Sequence, residues 1–128
     1  MKYFVKCFFS LIILTGCGGG GTTFIQPNPF AGNWGGTWWS TKYPQGGFLY
    51  VPINNNGNCT NGTITNSQLA IQGSLTGKIE TNGDFVATAD YSGVKITLAG
   101  KMAFEGNNLT GSFYSSENDS GAFVLSEQ

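Results

Sequence analysis

Over residues 84–114 apolar side chains recur at every second position, and short turn signals cut the runs apart. Phe85, Ala87, Ala89 and Tyr91 share one face of a stretch whose other face is Val86, Thr88 and Asp90. Val94, Ile96 and Leu98 alternate with Lys95, Thr97 and Ala99. Leu109, Gly111 and Phe113 alternate with Thr110, Ser112 and Tyr114. A period of two puts successive side chains on opposite faces, which is the pattern of half-buried strands. No window shows apolar spacing of three and four, and 20 glycines among many Asn, Ser and Thr work against long helices.

The turn signals lie where the alternation stops. Asn54-Asn55-Asn56-Gly57 opens a polar stretch reaching Asn61, and Asn82-Gly83 predicts a two-residue hairpin turn with both residues at positive φ. Ser92-Gly93, Gly106-Asn107-Asn108 and Glu117-Asn118-Asp119-Ser120 are further breaks. Eight strands follow, over 33–42, 46–54, 59–65, 68–79, 84–91, 94–105, 109–116 and 120–126. Every connection is short, so sequence neighbours pair antiparallel. The reading is an all-β fold, an eight-stranded up-and-down antiparallel meander closing into a small barrel, with a β-sandwich as the alternative. A weak repeat supports closure: Leu75-Thr76-Gly77-Lys78-Ile79, Leu98-Ala99-Gly100-Lys101-Met102 and Leu109-Thr110-Gly111-Ser112-Phe113. Mid-strand glycines at repeated places are what a curling sheet needs.

Composition divides the chain into three. Residues 1–16 carry Lys2 and Lys6 and an apolar run from Cys7 to Leu14, broken by Ser10. That run is too short to span a bilayer as a helix, which takes about 20 residues, and its flanks fit a signal peptide. Residues 17–29 are rich in Gly, Thr and Pro and predict a flexible tether. Residues 30–128 are left to build the single domain.

The leader ends in Leu14-Thr15-Gly16-Cys17, which resembles the lipobox of bacterial lipoprotein precursors at all four positions. The resemblance implies cleavage between Gly16 and Cys17, a diacylglycerol on the Cys17 thiol, and a membrane partner held through lipid. Two or more acyl chains give stable anchoring where one is marginal. Gly18 is not the Asp that retains such proteins on the inner membrane, so the outer membrane of a Gram-negative cell is the expected location. The opening Gly32-Asn33-Trp34 and Gly36-Thr37-Trp38, with the closing Gly121-Ala122-Phe123-Val124-Leu125, resemble short pieces of calycin barrels (lipocalins and avidins). This implies a shape. Neither the biotin-site residues of avidins nor the lipocalin cysteine pair has a counterpart.

Chemistry is excluded more readily than assigned. The chain contains no His and no Arg. A nucleophilic triad lacks its usual base, zinc lacks its commonest ligand, and nucleic acid lacks its principal phosphate and base readers. Without the leader, four lysines face seven acids, a net charge of −3. Glu80 and Asp84 flank one turn, and Glu117 and Asp119 share another; both pairs read as solvated turn charges, too sparse for calcium. Cys59 has no partner once Cys17 is lipidated and reads as a buried, inert thiol. No cofactor, metal or catalytic residue is expected.

Binding is the better prospect. Trp34, Trp38, Trp39, Tyr43, Phe48 and Tyr50 fall within the first two strands and their connection. Alternation puts Trp34 and Trp38 on the inner face as barrel core, and leaves Trp39, Tyr43 and Tyr50 as an aromatic surface for an envelope glycan or protein. The first expectation is a membrane-anchored, non-enzymatic binding protein. The alternative is a carrier of a small apolar ligand, which requires an interior void of about 300 Å³ or more lined by Trp34, Trp38 and Phe113.

Overall fold

The structure is a computed structural model that describes residues 26–128. Those residues form eight strands: β1 (Gly32–Ser40), β2 (Gly46–Ile53), β3 (Asn58–Asn66), β4 (Ile71–Ile79), β5 (Asp84–Tyr91), β6 (Val94–Glu105), β7 (Asn108–Ser115) and β8 (Ser120–Glu127). Each pairs antiparallel with its sequence neighbour, and β8 returns to β1 from Trp34↔Glu127 to Ser40↔Gly121, so the sheet is a closed barrel. The meander and its closure are as the alternation required; the sandwich is ruled out.

Closure has a steric basis in the inward rows. The repeated Leu and Gly of the three five-residue segments face inward, in register with Phe85, Ala87 and Ala89 of β5, with Phe113 and Phe123 of β7 and β8, or, for Leu109, with Phe104 and Leu125. A Cβ on Gly100 would run into the Ser112 carbonyl oxygen of the next strand, so only glycine lets β6 bend this close to β7. Gly47 serves differently: the Trp38 indole passes over it, and Nε1 donates to the Thr65 carbonyl two strands away at 2.9 Å.

Inward rows are apolar, and the outward rows carry Lys78, Thr88, Lys101, Thr110 and Ser112. Among them stand the exposed Trp39, Phe48, Tyr50, Val86 and Tyr114, so the outer surface is mixed. Trp34 and Trp38 are buried inside and Trp39 is exposed outside, as their spacing required.

Three local details depart from the sequence reading, each through a side chain that caps a turn. β1 stops at Ser40, not at 42, because the Ser40 hydroxyl accepts from the Lys42 and Tyr43 amides at 3.0 and 2.8 Å. β4 starts at Ile71, not at 68, because Asn66 Oδ1 accepts from the Gln68 and Leu69 amides and Ala70 takes φ 55°. At the Asn82-Gly83 turn only Gly83 has positive φ, at 99°, because Asn82 Oδ1 accepts from the Asp84 amide. With the Glu80 amide on the Asp84 carbonyl, that makes a three-residue loop, Thr81-Asn82-Gly83, ending in glycine. Ser92 and Gly93 do both take positive φ, 54° and 97°.

The polar stretch 54–61 is not one loop. Asn54 Oδ1 accepts from the Asn56 and Asn58 amides, and β3 begins at Asn58, with a bulge between Cys59 and Gly62. The ordered unit also starts before residue 30. Asn28 is buried, receives the Phe30 amide on Oδ1 at 2.8 Å and donates from Nδ2 to the Ile79 carbonyl at 2.8 Å.

Candidate functional site

The antiparallel meander gives the barrel two ends of different construction. At one, the floor, the segment before β1 crosses beneath the strands. Phe30 stacks on Phe104 with ring centroids 5.1 Å apart, Trp34 tilts against the same ring at 6.0 Å, and Trp34 Nε1 donates to the Phe30 carbonyl at 2.9 Å. At the other end, the mouth, lie the connections β1–β2, β3–β4, β5–β6 and β7–β8. No segment of the described residues crosses it.

Between floor and mouth is a cavity of about 830 Å³. Such a volume lies within the range of roughly 300–1,000 Å³ typical of small-molecule sites. Phe85 and Phe123 meet edge to face across the interior at 5.8 Å and form part of its base. Trp38 and Phe113 pack at 6.1 Å along one wall. On the facing side, β4 and β5 contribute the small residues Gly77, Ala87 and Ala89 between the larger Leu75, Ile79, Phe85 and Tyr91. These small residues leave room opposite the aromatic pair.

The void required of a carrier is therefore present, with one change in its lining. Trp38 and Phe113 line it, whereas Trp34 lies below, fully buried in the floor. The barrel is not filled by its tryptophans. Leu49, Ile64, Leu75, Ile96 and Leu98 complete the apolar lining. Of these, Ile96 and Leu98 were legible as sharing one strand face, but not as site residues.

Polar groups are few inside. Cys59 lines the cavity as a free thiol, its Sγ 3.6 Å from the Leu75 carbonyl it donates to. Burial pushes the thiol pKa up, partly offset by a hydrogen bond from the Gly62 backbone. Higher up, burial also raises the pKa of the half-buried Tyr91 phenol. Asn66 is buried at the rim with its Nδ2 on Gln45 Oε1 at 2.7 Å.

The three aromatic residues singled out from sequence are not brought together. Tyr43 stands on the β1–β2 connection and lines the mouth. Trp39 and Tyr50 are on the outer surface, opposite Gly46 and Gly35 in the β1–β2 ladder, four positions apart along it. That spacing is about 13 Å, with Phe48 exposed between them. Cys17 and Gly16, the proposed lipidation and cleavage residues, lie outside the described residues.

The acid pairs also separate. Asp84 is an exposed turn residue whose carboxylate accepts from Lys101 Nζ at 3.0 Å; that bond, with one from Asn82, holds its pKa below the usual carboxylate value. Glu117 and Asp119, in contrast, line the mouth. Among the described residues no three His, Cys, Asp or Glu side chains gather as metal ligands would. No protein-family model, no curated protein and no solved structure matches the chain.

Proposed function

We propose that this barrel binds a small, largely apolar molecule without turning it over, and that lipid on Cys17 ties it to a membrane. The observation that carries the binding reading is the cavity: about 830 Å³, apolar on its walls, closed below by Phe30 and Trp34 and open above. Interiors normally pack to crystal-like density, and a void this size forfeits contacts that filling would restore. A sequence that presents Ala87 and Ala89 to the space, where larger residues would take up part of it, fits an interior kept for an occupant.

The anchoring reading rests on Leu14-Thr15-Gly16-Cys17 and gains an orientation from the fold. Ten residues separate Cys17 from Asn28, which is bound under the floor. A Gly-rich coil of that length reaches roughly 20 Å. A lipid on Cys17 would hold the closed end toward the membrane and leave the mouth to the aqueous side of an outer membrane.

Uptake of N-phenylnaphthylamine, an uncharged probe that fluoresces in apolar surroundings, tests the cavity. Saturable one-to-one uptake with quenching of tryptophan emission is expected, clearly weakened in Ala87→Trp while that variant still unfolds cooperatively. No uptake, or equal uptake by Ala87→Trp, overturns the reading, the latter by moving binding to the outer aromatic surface. Labelling with palmitate that persists in Cys17→Ala would overturn the anchor.

A further inference from the structure

The rim of the mouth is not uniform. Its connections follow the order of the strands around the barrel, so β3–β4 and β5–β6 are adjacent, and β7–β8 and β1–β2 form the opposite side. The first side carries the exposed apolar residues of the rim, beside Asn66, Gln72 and Ser92. Leu69, Ile71 and Val94 line the opening while leaving 60%, 39% and 64% of their surfaces in water. The second side is polar, with Tyr43, Gln45, Glu117 and Asp119 lining it.

Charge on that polar side has one sign where it faces the cavity. Asp119 accepts from the Ser40 hydroxyl at 2.6 Å and from the Ser120 amide at 2.7 Å, which fixes its carboxylate at the rim. Glu117 follows Ser115, whose hydroxyl receives the Glu117 amide at 3.1 Å. Lysines near this end do not line the cavity. Lys42 is exposed and its Nζ is committed to the Asn118 carbonyl at 2.8 Å, and Lys95 pairs in register with Asp90 on the outward row. Arg and His are absent from the whole chain.

We infer that the occupant is a single-chain amphiphile whose head group is neutral or cationic, not a carboxylate or other anion. This deepens the cavity reading and rests on it. The apolar body lies between the Trp38–Phe113 wall and the Ala87–Ala89 wall. The head emerges beside Glu117 and Asp119, where a hydroxyl, amide or ammonium finds acceptors. An anionic head in the same place meets two carboxylates and no cation along the lining, an arrangement that disfavours like charge. The exposed Leu69, Ile71 and Val94 give the apolar chain a surface to cross on its way in.

The test is displacement of N-phenylnaphthylamine by decanol, decylamine and decanoate, at about pH 8 where the acid is ionised. Decanol and decylamine should displace the probe, and decanoate should need about tenfold or more higher concentration, equivalent to about 1.4 kcal/mol or more. In Glu117→Gln the decanoate gap should narrow while decanol is unchanged. Decanoate displacing as well as decanol overturns this inference and leaves the cavity reading standing. Failure of the probe and of all three compounds to bind overturns the cavity reading itself.

Discussion

At the floor of the barrel Trp34 and Leu109 are wholly shielded from water, while at the mouth Leu69 and Val94 keep most of their surfaces exposed. Both ends are built from the same strands with the same alternation. Alternation points a side chain inward, but burial at an end requires something to lie across it. The floor has Asn28 to Ala31, drawn under the strands by the Asn28 Nδ2 bond to the Ile79 carbonyl, by the Asn28 backbone amide on the Asn55 carbonyl and by the Phe30–Phe104 stack. The mouth has only the tips of its connections. Burial is therefore concentrated at one end, and the other is left open.

The largest effect that would break this contrast is at Trp34. Trp34→Ala removes the most deeply buried large side chain and its bond to Phe30, and should cost about 3–5 kcal/mol. For a domain of this size that lowers the thermal midpoint by more than about 10 °C, read by circular dichroism. A Leu69→Ser variant at the mouth should stay within about 0.5 kcal/mol of wild type. Equal losses from the two would mean the ends are not energetically distinct. Next comes Asn28→Ala, which leaves the Ile79 carbonyl and the Phe30 amide without their side-chain partners. Its cost should be about 1–3 kcal/mol, seen as a lower denaturant midpoint at unchanged slope.

The contrast also shows what a sequence can and cannot disclose. Period two in Phe85–Tyr91 and Leu109–Phe113 gave both the strands and their facing, because facing is a local property of extended backbone. Strand ends at Ser40 and Ile71 were misplaced because single side chains, Ser40 and Asn66, cap backbone groups a few residues away. Cavity volume was not legible at all. It depends on Trp38 and Phe113 standing across from Gly77, Ala87 and Ala89, and strand pairing around a closed barrel decides that. Small inward residues on two consecutive strands were the available signal. Tyr43 stands out for its aromaticity, yet its place on the rim follows from the β1–β2 connection that Ser40 caps. Asn28 was assigned to a tether because Gly and Pro around it conceal a buried capping residue.

A pH titration probes the middle of the barrel. Burial raises the Cys59 thiol pKa, so the folded state keeps the proton that the unfolded chain gives up. The sign is fixed: this contribution is complete below the ordinary thiol value and is lost as pH rises from about 9 towards the higher folded value. Stability measured by urea unfolding should fall over that interval, and the part due to the thiol should vanish in Cys59→Ala. Ligand in the cavity should slow reaction of Cys59 with a small thiol reagent. Reaction at the same rate with and without ligand would place the ligand away from Cys59.

The smallest effect is expected on the outside of the floor, and it separates two accounts of why that end is stable. Asp84 and Lys101 form an ion pair at 3.0 Å with side chains 56% and 62% exposed. Lys101 holds the Asp84 pKa below its ordinary value, so the pair contributes above the ordinary carboxylate range. That contribution is lost as pH falls through the lower folded value. Pairs this exposed are screened by water and salt and contribute little. Asp84→Asn at neutral pH should leave the thermal midpoint within experimental error, with salt making no further difference. A loss as large as that of Asn28→Ala would mean the floor is clamped from outside by charge. An unchanged midpoint leaves the support of the closed end to buried residues, Asn28, Phe30 and Trp34 among them.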